Sequence, residues 1–209
     1  MIGLFGKKVG MTQIFDDNGD VIAVTVIKAG PCPVVQIKDS DREGYNSVQI
    51  AYELKKPTRA RLPEIGHFKK SGLPPYRHLR EIRTEDTGKY EEGQLLSVDI
   101  FKDGDTVDIS GRSKGKGFQG VVKRYGFGGG RKTHGGRGLR KPGSIGMSAD
   151  PSRVVKGKKM PGRMGGENIH IKNLKVVEVD PENDLLLVKG AVPGPRNNIL
   201  WITRRVDKG

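Results

Sequence analysis

Between residues 112 and 166 the chain carries fifteen lysines and arginines against one acid, Asp150, with 16 glycines and only 13 apolar or aromatic residues. The whole 209-residue chain has a net charge of +14, and this stretch accounts for all of it; elsewhere 23 basic side chains balance 23 acidic ones. A segment so poor in apolar surface cannot offset the entropy of ordering itself, and its like charges repel. Alone in water it is expected to be mobile. Any fold must therefore be built from the flanks, with the basic stretch held out from them. A disordered linker is the bland alternative, but one-sided charge in an otherwise neutral chain suits an arm that binds a polyanion.

The flanks read as short strands. Residues 9–15 and 21–28 are β-rich and separated by Asp16-Asp17-Asn18-Gly19, with the Asn-Gly pair of a hairpin turn. Further strands are expected at 34–38, 47–54, 95–101, 106–109, 169–180, 185–189 and 199–206, with a second hairpin turning at 181–184. The alternation in 169–180 is only partial, so a bulge or a two-sided face is expected there. Prolines punctuate residues 57–93, which read as a helical insertion with pieces at 62–70 and 76–83. Many short strands between turn signals indicate a mainly β fold, a closed barrel or sandwich. The expected division is a body of residues 1–111 plus 167–209 and an extended loop of 112–166. Going out and back, that loop reaches at most roughly 90 Å.

Two glycine motifs raise the question of an enzyme. Residues 115–120, GKGFQG, match the dinucleotide fingerprint, but the glycine-rich run 121–130 does not sustain a helix. No acid stands near residue 137 to meet a ribose hydroxyl. Residues 126–133, GFGGGRKT, approach a P-loop, yet Arg131 fills the second glycine position. His67, His78, His134 and His170 are too scattered for a metal motif, and the acidic pairs 85–86 and 91–92 read as solvated turns. No catalytic residue, metal, cofactor, small-molecule substrate or membrane partner is expected. Cys32 is the single cysteine and forms no internal disulfide. No apolar run approaches the roughly 18 residues of a membrane span, and the N-terminus lacks a secretory signal, so the expected location is the cytoplasm.

The cations of the arm would bind phosphate oxygens without reading sequence. They are Arg112, Lys114, Lys116, Lys123, Arg124, Arg131, Lys132, Arg137, Arg140, Lys141, Arg153, Lys156, Lys158, Lys159 and Arg163, joined by His134. Phe118, Tyr125, Phe127 and His134 are the rings that could stack on unpaired bases or pack the arm instead. RNA is favoured over DNA because an irregular extension fits the interior of a folded RNA better than a regular groove.

Five stretches carry a family resemblance: GLFGKKVGMTQIF at 3–15, SKGKGFQG at 113–120, RKPGSIG at 140–146, GKKMPGRMGG at 157–166 and LLLVKGAVPG at 185–194. In this order they resemble the ribosomal protein L-three family, bacterial type, over essentially the whole chain. The resemblance implies a six-stranded Greek-key barrel of the translation-protein type, with a small helical insertion and a long basic loop. It implies a structural, primary binder of large-subunit (23S) rRNA near its 3′ end that helps nucleate subunit assembly, beside large-subunit proteins fourteen and nineteen. It places the loop tip, within 141–153 and centred on Ser144, Ile145, Gly146, Met147, Ser148, Ala149 and Asp150, toward the peptidyl transferase centre. Some bacterial members carry a methylated glutamine in this tip. Met147 occupies that position here and has no amide to modify, so no such modification is expected.

Overall fold

The computed structural model describes residues 3–16 and 18–204. In chain order its elements are β1 (Gly3–Phe15), β2 (Val21–Ala29), β3 (Cys32–Lys38), α1 (Ser40–Glu43), β4 (Ser47–Leu54), α2 (Leu62–Lys70), β5 (Tyr76–Arg83), β6 (Leu95–Leu96), β7 (Thr106–Arg112), β8 (Phe118–Gln119), α3 (Val121–Tyr125), β9 (Gly162–Arg163), β10 (Asn168–Asp180), β11 (Leu185–Lys189) and β12 (Ile199–Arg204). They fall into two compact units, Met1–Arg112 with Asn168–Gly209, and Ser113–Glu167.

The first unit, the body, is built on a closed six-stranded barrel in the order β1-β12-β7-β10-β11-β2, every pair antiparallel. Alternation along each strand places Leu200 and Ile202 of β12, Val107 and Ile109 of β7, and Leu186 and Val188 of β11 in the core. A small barrel leaves little axial room. A Cβ on Gly6 would lie 2.7 Å from Ile27 Cγ2 and 2.9 Å from Ile202 Cδ1, so glycine is what lets these two large side chains meet. The β1–β2 hairpin closes from Phe15 to Val21, although Asp17 of its turn lies outside the described residues. The β10–β11 hairpin closes from Asp180 to Leu185. β10 shifts register between Ile171 and Leu174, where Asn173 takes a positive φ of 59°. This is the irregularity its partial alternation predicts.

β3 and β4 continue the body as a four-stranded sheet, β5-β4-β3-β6. One face, with Val34, Val48, Ile50 and Tyr52, joins the barrel residues in a single apolar core. The other face buries Val35 and Ala51 against Phe68, the one buried side chain of α2. α2 starts where Pro63 occupies its first turn and the Glu64 carboxylate accepts the Arg61 backbone N–H at 3.1 Å. Leu4 and Phe5 point to opposite sides of β1, and Phe5 meets Trp201 edge-on at 5.0 Å and Tyr52 in a stack at 5.8 Å. The Arg80 guanidinium lies 4.4 Å from the Trp201 ring. Lys8 is buried, and its ammonium donates to the carbonyls of Val192 at 3.1 Å and Gly194 at 3.2 Å, tying the segment after β11 to β1.

Three sequence expectations need correction. Residues 76–83 form β5, not a helix: they complete the open edge of β4 from Ser47↔Arg83 to Leu54↔Tyr76. His78, Arg80 and Ile82 turn toward Phe5, Trp201 and the core, a period of two carried by only one aliphatic side chain. Residues 95–101 are a strand only at β6; a 3₁₀ turn follows at Val98–Ile100, because Val98 and Phe101, three apart, both bury. Residues 121–125 do form a helix, α3, short because Gly126 ends it in the left-handed conformation at φ 74°. For the strand expected at 199–206, the described part ends at Arg204.

Five of the body's acids, Glu53, Glu64, Glu81, Asp86 and Asp105, form ion pairs among the described residues. Glu81 accepts from Lys38 Nζ at 2.6 Å, Tyr45 Oη at 2.8 Å and Gln49 Nε2 at 3.3 Å. The Lys38 hydrogen bond, outweighing burial, holds the Glu81 carboxyl below the ordinary glutamate value. A carboxyl depressed in the folded state adds stability above its unfolded pKa, about 4.3, and loses it as pH falls through the folded value. Glu81→Gln is therefore expected to cost more stability near about pH 6 than near about pH 3, read as urea midpoints. Equal losses at both pH values would show that the pairing contributes nothing in solution.

Candidate nucleic-acid interface

The second unit, the arm, starts as a narrow ladder. Ser113 N donates to the Glu167 carbonyl at 2.8 Å, and Glu167 N donates to Ser113 Oγ at 3.2 Å. Lys116 N donates to Met164 O and Met164 N to Gly117 O, each at 2.9 Å; β8 and β9 then pair Phe118 with Arg163 and Gln119 with Gly162. GKGFQG is thus one side of a hairpin stem, not a phosphate loop, and α3 is too short to be the helix that such a loop opens. The P-loop-like stretch 126–133 contains no helix after its lysine.

Beyond the stem the arm has almost no interior. Val121 is its single buried residue. Of the sixteen cationic candidates fifteen are exposed: Arg112 at the end of β7, then Lys114, Lys116, Lys123, Arg131, Lys132, His134, Arg137, Arg140, Lys141, Arg153, Lys156, Lys158, Lys159 and Arg163. All seven tip residues, 144–150, are exposed as well. Among the described residues no lysine or arginine of Ser113–Glu167 is ion-paired; the ion pairs lie in the body.

Arg124 differs. It is half-buried, its Nη1 donates to Met160 O at 2.8 Å, and its guanidinium lies 5.0 Å from the Tyr125 ring. It braces the two sides of the arm rather than offering a free charge. Lys159 approaches the same ring at 5.7 Å. Phe118 is 75% exposed, whereas Phe127 leans on Tyr125 with ring centroids 6.3 Å apart. The sequence singled out these rings without indicating which engage one another, since the partners of Arg124 and Tyr125 lie more than thirty residues away, at Met160 and Lys159.

The remaining polar groups point to no chemistry. Among the described residues no group of three His, Cys, Asp or Glu side chains stands where it could hold a metal, and no helix is long and apolar enough to cross a membrane. His67 bonds Gln49 Oε1 at 2.7 Å, and His170 Nδ1 bonds Ser110 Oγ at 2.6 Å across the β7–β10 ladder. Cys32 is buried, which pushes its thiol up to about 12 and leaves it protonated.

A charge-balanced barrel with a coreless, unpaired cationic arm has the surface chemistry of a polyanion-binding protein. Comparison with known sequences narrows that class: the chain belongs to the ribosomal protein L3 family. The family model matches residues 83–184. A large ribosomal subunit protein uL3 from Natranaerobius thermophilus is 54% identical over 203 residues, covering 97% of this chain and 96% of the relative. That of Brachyspira pilosicoli is 48% identical over 208 residues, with 100% and 95% covered, and that of Thermotoga maritima 50% over 199, with 95% of each.

Proposed function

We propose that the arm is the rRNA-binding element of a structural constituent of the large ribosomal subunit. Family membership makes the protein a non-enzymatic component of that subunit, in the cytoplasm, in association with its RNA and proteins. The observation that supports the finer reading is the distribution of charge: a +14 excess confined to residues 112–166, in a segment with one buried side chain. Each exposed lysine or arginine that meets a phosphate releases condensed counterions, so many weak contacts sum to strong, salt-dependent binding. An arm with no core of its own gains its order from the RNA it enters.

On this reading the protein binds near the 3′ end of the large-subunit rRNA and helps nucleate assembly. The tip, Ser144 to Asp150, reaches toward the peptidyl transferase centre, and large-subunit proteins fourteen and nineteen are its neighbours. The arm orders the surrounding RNA and performs no chemistry itself.

Sedimentation tests this reading. The full-length chain is expected to co-migrate with large subunits and to stay with them in moderately high salt. Protein left at the top of the gradient at low salt would overturn it.

A further inference from the structure

The middle of the arm folds back on itself through glycine. Gly130 N donates to the Leu139 carbonyl at 3.2 Å. A Cβ on Gly130 would lie 2.8 Å from Gly138 O, and one on Gly129 would collide with the Leu139 carbonyl oxygen, so only glycine allows this crossing. Beside the crossing is a concavity of about 780 Å³. Its floor is glycine backbone, at 128–130 and 138; Phe127, Pro142 and Ile145 contribute its apolar walls, and Lys141 is its one charged lining residue. The volume falls within the roughly 300–1,000 Å³ of small-ligand sites.

Two features indicate what fits. Glycine floor and ring wall suit a flat, apolar body that approaches backbone closely. Phe127 borders the space while leaning on Tyr125, whose own ring is engaged by Arg124 and Lys159, so these contacts orient the wall. The adjoining sequence favours an anion: Arg131, Lys132, Arg137 and Arg140 are exposed on the same segment and carry no ion pair among the described residues. A flat apolar ring attached to a phosphate is a nucleotide, and folded RNA presents such bases where they are unpaired.

We propose that this concavity receives one unpaired base of the large-subunit rRNA, stacked on Phe127 with an adjoining phosphate on Lys141. The proposal rests on the RNA-binding reading above and adds to it a discrete site on an otherwise sequence-blind arm. Stacking on an aromatic side chain is sequence-tolerant, since every base has a π-face, and strong enough to hold a base out of solvent.

The test uses large subunits assembled with the full-length chain, either wild type, Phe127→Ala or Gly128→Leu. At Gly128, which lines the concavity, φ is not positive and an added Cβ meets nothing within 4 Å, so the backbone accepts leucine, and its bulk at the lining is the perturbation. Gly115→Leu also meets open space, outside the concavity, and serves as control. Base reactivity toward dimethyl sulfate and carbodiimide is read along the rRNA. One base protected by the wild type and the control is expected to lose its protection in both test variants, the rest of the pattern holding. Wild-type protection in both incorporated variants would overturn the proposal. If a variant fails to enter subunits, ultraviolet cross-linking of the wild-type chain decides: a base joined to Phe127 supports the site, and cross-links confined to Phe118 and Tyr125 overturn it. Absence of the wild-type chain from large subunits would instead remove the RNA-binding reading itself.

Discussion

Deletion of residues 113–167 is expected to leave a body that still unfolds cooperatively while RNA affinity collapses. Both apolar clusters, around the barrel and under α2, consist wholly of body residues, so the deletion removes no core. The strands at the cut are paired with each other at Arg112↔Asn168, and a short turn can join them. The electrostatics go the other way. The slope of log affinity against log salt should fall by about 0.7–0.9 for each phosphate left without its cation, or about 4–5 for six such phosphates. Filter binding of large-subunit rRNA over a salt series measures it. An unchanged slope would move phosphate binding to the body, and loss of cooperative melting would show that the arm is part of the folding unit.

Trp201→Ala is expected to destabilise the body by about 3–5 kcal/mol, the range for deleting a buried large aromatic. The indole is 7% exposed and joins three elements: it meets Phe5 of β1 edge-on and carries the Arg80 guanidinium of β5 on its ring, while its own strand closes the barrel. Its removal opens a cavity where the four-stranded sheet meets the barrel and leaves a partly desolvated guanidinium without its aromatic partner. Chemical denaturation of purified protein gives the value. A loss below about 1 kcal/mol would mean that the sheet and barrel repack without it.

The two hairpins were legible because their signals are local: turn residues at 16–19 and 181–184 between β-rich runs. The bulge in β10 was legible as a fault in alternation. β5 was not, because its inward positions are His78, Arg80 and Ile82, and an arginine that stacks on a distant tryptophan looks solvent-facing until Trp201 is in place. β6 ended early for a related reason, since the spacing of Val98 and Phe101 becomes meaningful only once both are seen buried. In the arm, charge and glycine content marked the segment, and fifteen of its sixteen cationic candidates are exposed. Arg124 is the exception, since its bond to Met160 O spans thirty-six residues and leaves no trace in spacing. The glycine crossing at 129–130 and 138–139 was equally hidden: three consecutive glycines signal permissive backbone, not which carbonyl they will touch.

The Arg112↔Asn168 pairing anchors both ends of a 55-residue excursion, Ser113–Glu167, on a single rung of one ladder. For a flexible excursion, doubling its length adds only about 0.6 kcal/mol of closure entropy. Folding thus exerts almost no pressure on how far this protein extends. Lengthening, trimming or resculpting beyond that rung is nearly neutral for the barrel, and selection can fit the excursion to its surroundings without renegotiating the architecture that bears it.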